Sequence, residues 1–319
     1  MLFQSRIYSG GPARRFAAAA ALCLLTAAGS ARAEDGPIAL APNNPDVVAV
    51  VQVADILASP AFQKITADFP EIGKKLDEPL GEKTKLTPRD IESIVVTADT
   101  AQRDFVVVIN LTGEVGVEDI VEEKDRDNTE TIGDYTLYIA EDKALCLVDE
   151  STLAIAPPAT LRAVLQRDDD AELSAEFAAG WKNVDDDQQV YVFATLGALI
   201  PLAADAIPPG MGLTADTLAK LTTATFSANA GENQITISTD LNCTDKETAT
   251  QFKTLLDTVL QGLQQPNAQI PAEAKQALTS VQSSVSEEFL TIGFDLGLDL
   301  ILGQIKSQLA TGASATPTP

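Results

Sequence analysis

The stretch from Leu86 to Leu111, LTPRDIESIVVTADTAQRDFVVVINL, constrains this chain most. It reads as a strand, a polar turn through Asp99 to Asp104, and a second strand whose Val and Ile run suits a well-covered sheet. Leu213 opens an echo of it: the Leu-Thr lead-in returns, and a second hairpin spans Thr222 to Leu241 with Gly231 in its turn. Two hairpin-centred copies predict an α+β fold of two related units, each an antiparallel sheet with helices packed on it, in tandem β-α-β-β-α-β order. The chain then divides into a signal segment (1–33), an extended lead-in (34–46), a first unit (47–184), a second unit (185–309) and a disordered tail (310–319).

The first 33 residues carry the marks of an export signal. Arg6, Arg14 and Arg15 form a basic start, Phe16 to Ala28 is apolar, and Ala31-Arg32-Ala33 is an A-x-A cleavage site, which places the mature start near Glu34. The apolar run is shorter than the about 20 residues a spanning helix needs, and no later segment predicts a transmembrane span. Removing these residues takes away four Arg and no acid, so the mature chain is more acidic still than the −24 of the whole. Such a charge excludes nucleic acid as a partner and leaves a basic partner or small cations as the groups it attracts.

The element pattern can be followed along the chain. Val47 to Val53 is an apolar strand, and Ser59-Pro60 starts a helix with the stripe Phe62, Ile65, Phe69, Ile72, Leu76, bent at Pro70. A short helix (Val117 to Glu123) and a charged loop precede three strands, Tyr135 to Ala140, Ala144 to Val148 and Thr152 to Ala156. Helices follow at Thr160 to Arg167 and Leu173 to Val184, then a strand after Gln189 and an apolar stretch from Gly197 to Ile207. Thr244-Asp-Lys-Glu247 reads as a capping box ahead of the stripe Phe252, Leu255, Leu256, Val259. A helix over Ala272 to Val285, a strand over Glu288 to Leu296 and an amphipathic helix over Leu298 to Leu309 complete the pattern.

The segments VVAVVQVADILASPAFQKI, LTPRDIESIVVTAD with DFVVVINL, and STLAIAPPATLRAVLQR resemble the layout of uncharacterised secreted repeat proteins of planctomycete bacteria. The resemblance covers Asp46 to Arg167 and, more faintly, the second half. It implies export and a repeated α+β fold, and it carries no site residues.

The chain has no histidine, which excludes Ser-His-Asp and Cys-His catalysis and every His-based zinc or haem site. Neither Gly-x-Ser-x-Gly nor Ser-x-x-Lys occurs, and Gly81-Glu-Lys-Thr lacks the spacing of a phosphate loop. The reading therefore names no catalytic or cofactor-binding residue and predicts no cofactor. Two acidic triplets, Asp168, Asp169, Asp170 and Asp185, Asp186, Asp187, are the candidate Ca²⁺ ligands, since calcium takes six to eight oxygens. Cys146 and Cys243 survive signal removal as two inward-facing thiols, with a disulfide between them as the alternative.

Three functions remain open at this stage. The first is a non-enzymatic exported protein with a binding or envelope-structural role and a protein partner. The second is a carrier that holds an apolar ligand between sheet and helices, lined by Ala198 to Ile207 and Leu296 to Leu302. The third is a carboxylate-dependent hydrolase.

Overall fold

The computed structural model describes residues 38–80, 84–167, 169–200, 214–265 and 272–312. The signal segment, Asp168, the stretch from residue 201 to 213 and the end of the tail lie outside them.

Twelve strands among the described residues join in one antiparallel sheet. In chain order they are β1 (Val47–Gln52), β2 (Ile91–Asp99), β3 (Asp104–Leu111), β4 (Thr129–Ile132), β5 (Tyr135–Ala140), β6 (Lys143–Leu147), β7 (Thr152–Ala156), β8 (Val190–Thr195), β9 (Leu221–Ala230), β10 (Gln234–Cys243), β11 (Gln282–Ser286) and β12 (Phe289–Gly297). Across the sheet the order is β11-β12-β10-β9-β8-β1-β2-β3-β7-β6-β5-β4. Each unit was expected to carry an antiparallel sheet, with their joining left open, and the structure joins both in one sheet. β1 pairs with β8, Val50 opposite Tyr191 and Val48 opposite Phe193, because both strands are apolar on both faces and neither tolerates an open edge. Outward from this seam the order runs β1-β2-β3-β7-β6-β5-β4 on one side and β8-β9-β10-β12-β11 on the other.

The helices are α1 (Val53–Ala58), α2 (Pro60–Asp68), α3 (Pro70–Lys75), α4 (Val117–Ile120), α5 (Pro158–Leu165), α6 (Ala175–Trp181), α7 (Ala215–Leu218), α8 (Lys246–Gln264), α9 (Ala272–Thr279) and α10 (Leu298–Gly312). Ser59 caps α2 by accepting the N–H of Phe62 at 3.2 Å, with Pro60 in the first turn where its missing N–H costs nothing. Pro70 does more than bend this helix. It ends α2 and starts α3, since its ring cannot sit inside a continuous helix.

Cross-strand register divides the sheet into two faces. On the front, Val50, Val95, Val108, Ala154, Cys146 and Leu137 line up across the first half, and α5 and α6 cover them through Leu161, Val164 and Phe177. On the back, α8 packs on the outer strands through Ala249 and Phe252 against Cys243 and Leu290. The helix α10 returns from the end of β12 to the first helices, burying Leu298 and Leu302 against Ala61 and Phe69. The two sequence halves are thus joined by strand pairing and by helix packing.

Three expectations need correction, and one strand had no expectation at all. The predicted helix over Ala272 to Val285 stops at Thr279, where the Ser280 hydroxyl donates to the carbonyls of Ala277 and Asp295; Gln282–Ser286 then forms the edge strand β11, with Val285 packed beside Leu290 and Ile292. The predicted capping box does not form: Asp245, not Thr244, caps α8 by accepting the N–H of Thr248 at 2.7 Å. That contact and the Thr248 hydroxyl beside it hold the Asp245 carboxyl below its ordinary pKa. The strand β4 escaped the sequence reading because its four residues place only Ile132 in the core. Finally, residues 310–312, assigned to the tail, continue α10.

Candidate functional site

Only the first half of the front face is roofed by α5, and beyond β8 the same face turns polar. Thr223, Thr225 and Ser227 of β9 stand opposite Asn242, Asp240 and Ser238 of β10. Phe289 and Thr291 of β12 continue the rows beside Asn242 and Asp240. The alternating register sends every second residue of these strands to the front, while Ala224, Phe226, Ile237 and Leu241 point to the back.

One wall is α6 with the loop that follows it. Ser174 caps the helix by accepting the N–H of Phe177 at 3.1 Å. Phe177 is fully buried, its ring edge-on to Phe193 at 5.0 Å between centroids, and Trp181 stacks on it at 6.0 Å. These rings seat the helix so close to the sheet that a Cβ on Gly180 would lie 2.6 Å from Cζ of Phe193. The loop is fixed by Asp185, which accepts the N–H of Asp187 at 3.2 Å and the side-chain amide of Gln188. Gln188 in turn accepts from the amide of Asn229.

Between this wall and the strand floor lies a groove of about 790 Å³. Four carboxylates line it: Asp240 on the floor, Glu288 just before β12, Glu176 on α6 and Asp185 on the loop. Among the described residues no lysine or arginine lines it. Asp240 accepts the hydroxyl of Thr291 at 2.5 Å. Thr222 donates its hydroxyl to the carbonyl of Asn242 at 3.2 Å, which leaves the Asn242 side chain facing the groove.

A second cavity, about 280 Å³, lies at the end of the β2–β3 hairpin beside Asp99, Asp104 and Thr160. Its groups are already paired. Gln102 occupies both oxygens of Asp99, Thr160 donates to Asp104, and Arg167 spends its guanidinium on the carbonyls of Ala39, Ala41 and Asp169. This cavity is the footing of the lead-in segment rather than an open site.

Asp168 lies outside the described residues, and the structure does not gather the other acids of the two triplets round one point. Asp169 and Asp170 are exposed ahead of α6, and Asp185, Asp186 and Asp187 are exposed behind it. Among the described residues no group of three or more Asp, Glu, Cys or His side chains could hold a metal. Asp185 alone of these reaches the groove. The disulfide alternative is overturned, for Cys146 and Cys243 are both free and buried. Seven strand steps separate β6 from β10, on the order of 30 Å at about 4.8 Å per step, far beyond disulfide reach. The apolar segments proposed as a carrier's lining do other work where they are described: Leu298 and Leu302 are buried in helix packing.

Thr223, Asp240, Asn242 and Glu288 were missed in the sequence. Their signal was the run Thr223-Ala-Thr-Phe-Ser-Ala-Asn, in which every second residue is polar, paired with Ser238-Thr-Asp-Leu-Asn. A strand with one solvated face gives the same alternation, so the pattern marks a site only once the wall of α6 is seen beside it.

No protein-family model matches this chain, and no curated protein does. Among solved structures, crystal form I of TP0453 is similar with a TM-score of 0.47 and 12% identity, over 87% of this chain and 99% of that one. Crystal form IV of TP0453 gives a TM-score of 0.46 and 13% identity, over 85% and 96%. Among the described residues no helix is long and apolar enough to cross a membrane.

Proposed function

We propose that this is an exported, non-enzymatic binding protein whose ligand sits in the front groove. The observation that carries the reading is the contrast within one face. The first half is apolar and roofed by helices, whereas the second half presents hydroxyl, amide and carboxylate groups to an open volume of about 790 Å³, within the range of small-molecule sites. Its floor groups, Thr223, Thr225, Ser227, Ser238, Asp240 and Asn242, sit on paired strands, which hold them in place better than loops do. The absence of histidine and of any nucleophile motif supports binding over turnover.

The test is the protein purified from its own host and examined by native mass spectrometry, alongside Thr225→Trp, which fills the groove from the floor. A bound small molecule in the parent that is absent from the folded variant is the expected result. An adduct that persists in the variant, or a parent that carries none and gains no thermal stability from any member of a metabolite panel, overturns the reading.

Export rests on the N-terminal pattern, and N-terminal sequencing of the secreted protein should begin at or near Glu34. An intact Met1 form held in membranes would sink it. We further propose that the two halves descend from one duplicated unit. The first five strands on either side of the β1–β8 seam run in matching order, with β5 and β4 added to the first half, and this supports the duplication. Sequence profiles gathered from relatives of one half should detect the other half, and failure to do so counts against duplication.

A further inference from the structure

We infer that the groove is built for a small organic polycation bearing primary ammonium groups, an inference that rests on the binding reading above. Charge gives the sign of the ligand: Asp240, Glu288, Glu176 and Asp185 face the volume, with no basic side chain among the described residues that line it. Spread gives its shape. A hard metal ion needs its oxygens gathered round one point, and among the described residues no such gathering exists. Carboxylates distributed over a floor strand, a strand entry, a helix and a loop suit charges strung along a chain instead.

Unspent hydrogen-bonding capacity gives the position of one ammonium. Thr223 is 6% exposed and lines the groove, yet its hydroxyl makes no hydrogen bond to another described residue. Directly opposite it in the ladder stands Asn242, whose side-chain oxygen Oδ1 is buried without a donor. Buried polar groups are paired in nearly all native structures, so the unpaired Asn242 oxygen, beside the uncommitted Thr223 hydroxyl at one end of a cavity, points to a missing partner. The next residue pair on the same face brings Asp240, and the other neighbour of Asn242 is Phe289. An oxygen, a hydroxyl, a carboxylate and an aromatic ring are the surroundings an ammonium recruits: it has three N–H donors and no acceptor, and it is attracted to a ring face. A water molecule would satisfy Asn242 and Thr223 as well, but it would leave the carboxylate charge uncompensated.

The probe is spermidine, titrated calorimetrically into the mature protein at fixed ionic strength, with Mg²⁺ and the uncharged 1,8-octanediol as comparisons. Saturable spermidine binding is expected, weakened about tenfold by the isosteric Asp240→Asn, the ratio expected from about 1.4 kcal/mol, and weakened again by Thr223→Val. Asp149→Asn, which lies outside the groove, should leave it unchanged. Circular dichroism confirms that each variant folds. Spermidine binding no tighter than Mg²⁺, or affinity unchanged in Asp240→Asn, identifies diffuse attraction to an acidic chain and overturns the inference. If spermidine fails while a neutral metabolite binds and is blocked by Thr225→Trp, the ammonium assignment falls and the groove reading stands. Failure of every ligand in the parent removes both.

Discussion

The carboxylate of Asp46 accepts the backbone N–H of Thr100 at 3.1 and 3.2 Å, and the hydroxyl of the same residue besides. Asp46 is 8% exposed, and its backbone joins Ala98 on one side and Thr195 on the other. One residue thus closes the β2–β3 turn and ties both neighbours of β1 at the seam between the halves. Asp46→Ala leaves the Thr100 N–H without its acceptor and should destabilise the protein by about 1–3 kcal/mol, the cost of an unpaired buried polar group. Denaturant unfolding measures it. A change within error would mean that water replaces the carboxylate.

Gly180 offers a sharper test of how the groove is held. A methyl group there would meet the Phe193 ring, which is 1% exposed and clamped by Phe177 and Trp181. Since that ring has nowhere to swing, Gly180→Ala must lift α6 and should cost about 1–3 kcal/mol, as overpacking does. The near-UV signal of Trp181 should change with it. Unaltered stability and spectrum would show that the helix is only loosely seated.

The reach of sequence reading shows in these same residues. The hairpin Ile91–Leu111 was legible because contiguous β-branched runs, Ile94 to Val96 and Val106 to Ile109, flank a polar turn, and α2 because Ser59-Pro60 is a local signal. The β1–β8 pairing was not, for it joins Val50 to Tyr191 across more than a hundred residues and no local pattern encodes a partner that distant. The edge strand Gln282–Ser286 was hidden by a helical average over Ala272 to Val285; its one apolar anchor, Val285, acquires meaning only beside Leu290. At the site, the described carboxylates of the two runs of three are exposed and only Asp185 among them reaches the groove wall, while the isolated Asp240 reaches its floor. Runs of like charge repel and favour water, so a buried or half-buried acid is more often a solitary one.

The ion pair between Arg162 and Glu130 links α5 to the short strand β4, with Nε and NH2 of the guanidinium at 2.7 to 2.9 Å from the carboxylate oxygens. The side-chain hydrogen bond from Arg162 holds the Glu130 carboxyl below its ordinary pKa. A depressed folded-state pKa stabilises above the unfolded value and loses that contribution as pH falls through the folded one. Glu130→Gln should therefore lower Tm at neutral pH, and the gap to the parent should close as acid protonates Glu130. A gap independent of pH would indicate lost packing rather than lost charge.

Cys146 carries the opposite sign. Burial beneath α5 pushes its thiol up to about 11, and burial followed by the nearby Asp245 also raises Cys243. A free thiol titrates near 8.5, so between that pH and about 11 the unfolded chain releases a proton that the folded chain keeps. Stability from this source is whole below the unfolded value and drains away as pH rises through the folded one. The parent should lose stability from pH 8 to 10 more steeply than Cys146→Ala, which is less stable at neutral pH because it leaves a small cavity. Ellman's reagent, which needs thiolate, should label neither cysteine of the folded mature protein at pH 8 and both once guanidinium unfolds it. Rapid labelling of Cys146 in the native state would show that the front core opens beneath α5. Parallel alkaline curves for the parent and Cys146→Ala would show that the thiol keeps its proton equally well in both states.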